Sequence, residues 1–246
     1  MSSINVTDTE GIRVLQFNRP EKLNALNLDM YQQLNLALHS GDNDESIGAF
    51  LLCGTPHCFT AGNDIGDFLN SESLDAEHPA IKFLFTLVDL KKPLIAAVSG
   101  PAIGIGTTML LHCDLVFADT TAEFQLPFVD LALVPEAGAS MLLPKIMGYQ
   151  RAAELLLTGE RFSAMQARGY RIINEVIDDE ELPTHAFNKA KLIASKSAAA
   201  VQQTKALMKP WRTQLRQHMQ LELTCFEKRL QSDEARKIFQ HFLLKQ

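Results

Sequence analysis

The sequence predicts an α/β fold with a helical C-terminal region, and three observations carry that prediction. Two apolar runs of strand length, Ala49–Cys53 and Leu94–Val98, each lead into a glycine-containing loop. Stretches with apolar residues at helical spacing lie between and after them. Beyond Pro135 strand-like runs nearly vanish and helical segments dominate. Strands alternating with helices mark a βαβ-rich core. The chain divides into a core over residues 1–194 and a helical region over 195–246.

Each element has a local reason. Residues 12–17 (Ile-Arg-Val-Leu-Gln-Phe) read as a strand entered from a Glu10-Gly11 turn and broken by Arg19-Pro20. Asn27 caps a helix running to about His39, with Met30, Leu34 and Leu38 on its apolar stripe. A strand over 48–53 precedes the first glycine loop. Residues 67–79 are polar and aperiodic and read as a mobile loop. A helix from Pro79 to Asp89 leads to the strand 94–98, the second glycine loop and a helix beyond it. Residues 114–118 and 123–126 read as short strands. Helices are expected over 138–146, 149–157, 163–168, 182–194, 197–208 and 212–230 and from Ser232, with a short strand over 171–177. Lys209-Pro210 stops one helix, because proline has no N–H and restricts the residue before it.

Composition narrows the function classes. The chain has 246 residues, 46% hydrophobic and 21% charged, which suits a globular protein with a sizeable core. A net charge of −6 argues against a nucleic-acid surface. No apolar run approaches the roughly 18 residues of a membrane span. The first residues show no secretory signal. Cys53, Cys58, Cys113 and Cys225 form no Cys-x-x-Cys pair and have no His cluster at zinc spacing. They read as reduced thiols in a cytoplasmic protein (bacterial cytosol or organelle matrix) without a metal, and no membrane or nucleic-acid partner is expected.

The chemistry is concentrated in the two glycine loops. The first, Phe59-Thr60-Ala61-Gly62-Asn63-Asp64-Ile65, follows one strand. The second, Ser99-Gly100-Pro101-Ala102-Ile103-Gly104-Ile105-Gly106, follows another and opens a helix. The second is no dinucleotide fingerprint, since the third glycine and the acidic residue are missing, and no Gly-Lys-Ser/Thr makes it a phosphate loop. Taken singly, each loop reads as a turn. As a pair, two such strand ends can aim two backbone N–H groups at one point, which makes an oxyanion hole.

Together with Asn18-Arg19-Pro20-Glu21-Lys22-Leu23-Asn24-Ala25-Leu26, Lys92-Pro93 and Cys113-Asp114-Leu115-Val116, these loops resemble the crotonase superfamily of enoyl-CoA hydratases and isomerases. The resemblance runs from about Ile12 through the C-terminal helices. It implies a crotonase-like ββα spiral core carrying the acyl-CoA site, and a C-terminal region that covers the site and joins subunits into a homotrimer or hexamer. It implies an acyl-CoA substrate and fatty-acid β-oxidation, with no cofactor beyond the coenzyme A that the substrate carries. By position, Asn63 and Ile105 supply the N–H groups for the thioester oxygen. Backbone groups of Ala61, Asn63 and Ile65 hold the adenine, and Lys22 approaches the CoA phosphates. The physics agrees: α-proton removal gathers charge on the thioester oxygen, and one preorganised donor there is worth about 2.7–4 kcal/mol.

The reaction is decided elsewhere. Hydratases of the family carry one glutamate two residues past the last glycine of the second loop and another after a proline. Here those places are Thr108 and Phe128, neither of which is a base. A carboxylate stands instead at Glu136, in Leu133-Val134-Pro135-Glu136-Ala137-Gly138. This segment, with Leu143-Pro144-Lys145-Ile146-Met147-Gly148, resembles the Δ3-Δ2-enoyl-CoA isomerases, in which this glutamate is the base. One base suffices to move a proton from C2 to C4, and apolar neighbours including Phe128 are expected to raise its pKa. Taken alone, Glu136 also reads as a glutamate beside a helix N-terminus. Asp130 is a weaker candidate acid, Asp64 a loop-ordering residue, and His57 and His112 structural. Hydration or other crotonase chemistry is the rival reaction, and a non-catalytic acyl-CoA-binding protein of the same fold is the rival class.

Overall fold

The computed structural model describes residues 2–66, 75 and 77–243, together with the backbone but not the side chains of the last two. Most of the loop expected over 67–79 therefore lies outside the described residues. The main sheet has six strands in the order β1-β2-β3-β4-β6-β9. These are β1 (Ile4–Thr9), β2 (Ile12–Phe17), β3 (Ala49–Cys53), β4 (Leu94–Val98), β6 (Leu115–Asp119) and β9 (Glu175–Ile177). Only β1 and β2 pair antiparallel; every other neighbour in this sheet is parallel. A second sheet, β5-β7-β8, is built from β5 (Pro101–Ile103), β7 (Glu123–Gln125) and β8 (Phe162–Ser163).

A parallel sheet is covered on both faces, so its strands read as unbroken apolar runs. Alternation along the backbone deals their side chains to two cores. Phe50 and Leu52 of β3 and Leu94, Ala96 and Val98 of β4 enter the larger core. Ala49 and Leu51, with Ile95 and Ala97, enter a smaller one under Leu182, Ala186 and Ala190. Those three belong to the helix Leu182–Ala194.

The helices that matter for the site are α1 (Leu28–Asn43), α2 (Pro79–Asp89), the single turn α3 (Ile105–Thr108), α4 (Ala139–Met147) and, near the C-terminus, α9 (Arg212–Leu230). Between α4 and α9 run α5 (Tyr149–Thr158), α6 (Ala164–Gly169), α7 (Leu182–Ala194) and α8 (Ala198–Met208), and α10 (Asp233–Leu243) closes the chain. Asn27 caps α1 as expected, its side chain accepting the Met30 N–H at 2.9 Å. Leu215, Met219, Leu223 and Phe226 of α9 lie in the same core as Phe50 and Leu94. Lys205 of α8 is buried, with Nζ donating to Asp114 at 2.6 Å and to the Lys92 carbonyl at 2.8 Å.

Four elements differ from the expectation, one of them β8, a two-residue strand that takes up Ser163 where a helix was expected to begin. The first strand, β1, was not anticipated: only Ile4 of its six residues is buried, and it holds just two apolar residues, Ile4 and the exposed Val6. β5 falls inside the segment expected to be loop, pairing with β7 over just three residues. The strand expected over 171–177 shrinks to Glu175–Ile177 because Arg171 takes a left-handed φ of 65° and turns the chain.

Candidate active site

β3 and β4 are parallel neighbours, so their carboxyl ends deliver both glycine loops to one edge of the sheet, where α/β folds bind ligands. The loops are laced together. Thr60 N–H donates to the Pro101 carbonyl at 2.9 Å, and Ile103 N–H donates to the Thr60 carbonyl at 3.0 Å. A Cβ on Gly106 would stand 2.6 Å from Thr60 Cγ2, so only glycine lets the loops approach this closely. The buried Asn24 ties the Asn-Arg-Pro segment to the first loop, donating to the Cys58 and Phe59 carbonyls. Arg19 adds an ion pair to Asp64 at 2.7 Å. Asp64 also accepts the Gly66 N–H at 3.1 Å, the loop-ordering turn expected of it.

This lacing brings Asn63, Ile105 and Glu136 to one cavity. Ile105 is the first residue of α3, so its N–H points out of the helix start with no carbonyl before it to receive it. Among the described residues no acceptor faces the N–H of Asn63 or of Ile105.

Glu136 is buried, at 5% exposure. Burial pushes its carboxyl up to about 8, with a smaller upward push from Glu222, against a lowering hydrogen bond from Thr108. Thr108 Oγ1 donates to Glu136 Oε1 at 2.5 Å. Two positions that sequence reasoning treated separately are therefore one unit: the threonine standing where hydratases hold a glutamate orients the new carboxylate. The turn after Glu136 is held by the buried His112, whose Nε2 lies 2.7 Å from the Ala137 carbonyl. Burial lowers His112 to about 4, so it is neutral at pH 7 and its structural role stands.

The other named residues are placed as follows. Lys22 is exposed at the end of the 3-10 turn Pro20–Lys22. Ala61 donates its N–H to the Leu23 carbonyl at 2.9 Å, which leaves its own carbonyl as the polar group for a ligand. Ile65 is partly buried against the core. Asp130 is corrected: it is exposed on the turn Val129–Leu131, beside Gly159, and does not line the cavity. Phe128 is buried in the core and also stands off the cavity.

Sequence reasoning missed Tyr31 and Glu222. Tyr31, buried on α1, donates its hydroxyl to Asn63 Oδ1 and lines the cavity with Glu136. Burial pushes its pKa well up, and the Glu136 charge adds to this, so it stays a neutral donor. Its signal was hidden because it sits on the apolar stripe of α1 among Met30, Leu34 and Leu38. The remaining wall is apolar: Ile81 and Leu84 from α2, Leu223 and Phe226 from α9. Among the described residues no cluster of His, Cys, Asp and Glu could hold a metal, and no helix is long and apolar enough to cross a membrane.

A family model described as enoyl-CoA hydratase/isomerase matches residues 7–246. The peroxisomal enoyl-CoA delta isomerase 3 of Mus musculus is 34% identical over 212 residues, 84% of this chain and 67% of that protein. Enoyl-CoA delta isomerase 2 of Rattus norvegicus is 35% identical over 213 residues, 84% of this chain and 54% of that protein, so the chain spans about half the length of this relative. A mitochondrial enoyl-CoA hydratase of Pongo abelii matches at a similar level, 35% over 187 residues, 76% of this chain and 64% of that protein. The crystal structure of an enoyl-CoA hydratase/isomerase from Pseudoalteromonas atlantica T6c superposes with a TM-score of 0.95 at 36% identity, covering 99% of this chain and 98% of that one.

Proposed function

The chain belongs to the enoyl-CoA hydratase/isomerase family and has the crotonase fold, and from that premise we propose that it is a Δ3-Δ2-enoyl-CoA isomerase acting in fatty-acid β-oxidation. The observation that carries this reading is the carboxylate count. Among the described residues Glu136 is the one carboxylate lining the cavity, and Thr108 and Phe128 bring none where hydratases keep theirs. Hydration needs a water activated and a proton delivered by separate side chains, whereas a double-bond shift needs one group that accepts a proton and returns it.

In the proposed mechanism the thioester oxygen of a 3-enoyl-CoA accepts hydrogen bonds from the Asn63 and Ile105 N–H groups. The Glu136 carboxylate removes the proton from C2. The electron pair of that C–H bond becomes the dienolate, whose negative charge rests on the thioester oxygen. Glu136 then donates the same proton to C4, and the double bond moves from C3–C4 to C2–C3. The carboxyl sits where Thr108 holds it, and the apolar wall excludes the water that hydration would consume. Ala61, Asn63 and Ile65 hold the adenine through their backbone, Lys22 meets the CoA phosphates, and the protein acts in the cytoplasm or an organelle matrix as a homotrimer or hexamer.

Hydratase-named relatives at similar identity keep hydration as the second reading. An ultraviolet assay on 3-enoyl-CoA and 2-enoyl-CoA separates the two. The expected result is isomerisation by the wild type, lost in Glu136→Gln while CoA-ester binding persists. Hydration outrunning isomerisation, or a fully active Glu136→Gln, defeats the proposal. Ester binding unaffected by that substitution, with no turnover of any enoyl-CoA, points instead to a binding protein.

A further inference from the structure

The mechanism leaves the buried carboxylate of Glu222 unused. Glu222 lies on α9, 6% exposed. It accepts three hydrogen bonds from the turn that follows Glu136: from the Gly138 N–H at 2.6 Å, the Ser140 N–H at 2.9 Å and Ser140 Oγ at 2.5 Å. That turn is not one a chain adopts freely. Ala137 and Gly138 are both left-handed, with φ of 57° and 74°, and for alanine that conformation costs about 1–2 kcal/mol. The turn is also pressed against α9, because a Cβ on Gly138 would lie 2.4 Å from Leu215 Cδ1. His112 grips the other side of it through the Ala137 carbonyl.

We propose that Glu222 is a positioning residue, which together with His112 fixes the left-handed turn at 137–138 and thereby fixes where the Glu136 carboxyl lies relative to Thr108 and the oxyanion donors. The inference rests on Glu136 being the base. It gives the C-terminal region a part in the chemistry besides covering the site, since the clamp reaches the base from a helix more than eighty residues along the chain. Burial raises the Glu222 carboxyl above the ordinary carboxylate range, and the hydrogen bonds from Ser140 and Gly138 pull it part of the way back. His218 extends the chain outward, with Nε2 2.8 Å from Ser140 Oγ and 3.6 Å from Glu222 Oε1. The groups that face the Glu136 carboxyl are Thr108 from α3, Tyr31 from α1 and Glu222 from α9. Loss of the clamp therefore acts on Glu136 by letting its carboxyl leave Thr108.

The test compares Glu222→Gln and Ser140→Ala with the wild type by two readouts. One is kcat and KM on a 3-enoyl-CoA. The other is the infrared carboxyl band of Glu136, assigned by its loss in Glu136→Gln and followed across pH. Glutamine keeps one acceptor oxygen but opposes an NH2 group to a backbone donor, and alanine at 140 removes one of the three donors. The expected result is a fall in kcat of about tenfold to a hundredfold in Glu222→Gln, with KM little changed. In Ser140→Ala, which removes a donor but no carboxylate, the pH at which Glu136 titrates moves upward as its carboxyl leaves Thr108. Should Glu222→Gln not fold, Ser140→Ala decides by the same readouts. A Glu136 titration that stays at its wild-type pH in folded Ser140→Ala overturns the proposal, whatever the rate does. If the wild type does not isomerise 3-enoyl-CoA, the functional reading falls, and the titration still decides the role of Glu222.

Discussion

As the proposed base, Glu136 is a carboxyl that its surroundings keep protonated at neutral pH. Burial raises its carboxyl to about 8, and the Thr108 hydrogen bond is what limits the rise. A base with a pKa just above neutrality removes a C2 proton more readily than an ordinary carboxylate, at the cost that only the ionised fraction is active. The profile of kcat/KM against pH is expected to rise through a limb near pH 8, because that ratio reports ionisation of the free enzyme. Thr108→Val deletes a hydrogen bond to the charged form, so the limb moves to higher pH. At pH 7 the loss is about tenfold, the equivalent of a hydrogen bond to a charged group worth about 1.5 kcal/mol, and it shrinks as pH rises. A pH-independent loss in Thr108→Val would show that the threonine shapes the pocket and does not tune the base.

The proposed oxyanion hole depends on how two loops are held, an element-scale property. Thr60 bonds both ways to β5, and Gly106 leaves room for Thr60 to approach α3. Gly106→Ala drives a Cβ against Thr60 at 2.6 Å and pushes the Asn63 and Ile105 donors apart. The expected outcome is a fall in kcat of about tenfold to a hundredfold with a loss of about 1–3 kcal/mol in stability, read by steady-state kinetics beside urea unfolding. Unchanged kcat in the folded variant would mean that the spacing of the loops does not matter. The glycine loops, β2 to β4 and the Asn27 cap were legible in the sequence because each rests on local pattern: an apolar run, a turn residue, a side chain three residues from its partner. β1 was not, since five of its six residues are exposed and only two of the six are apolar. The Thr108–Glu136 bond spans 28 residues and the Glu222 clamp more than eighty. No spacing rule reaches that far, and Glu222 looks like any polar residue of an amphipathic helix until the turn it holds is seen.

For the whole molecule, the buried base is a liability that grows with pH. Glu136 releases its proton near the ordinary value of 4.5 when unfolded but near 8 when folded. Between those values the native state holds a proton that the unfolded chain has lost, so this group's contribution to stability is full below about 4.5 and disappears as pH rises through about 8. His112 acts in the opposite sense: its depressed value near 4, against 6.5, makes stability rise with pH between those limits and then stop changing. Above about pH 6.5 Glu136 is therefore left to act without that opposition. Glu136→Gln keeps an oxygen to accept the Thr108 hydroxyl and abolishes the ionisation. Its melting temperature is expected to match the wild type near pH 5 and to exceed it increasingly toward pH 9. The gain is a few kcal/mol, and a chain of this length gains about 2–4 °C for each of them. Scanning calorimetry of both proteins at pH 5, 7 and 9 checks this. An offset between them that is the same at all three pH values would mean that Glu136 titrates near its ordinary pKa in the folded protein, and the alkaline limb expected for catalysis would fall with it.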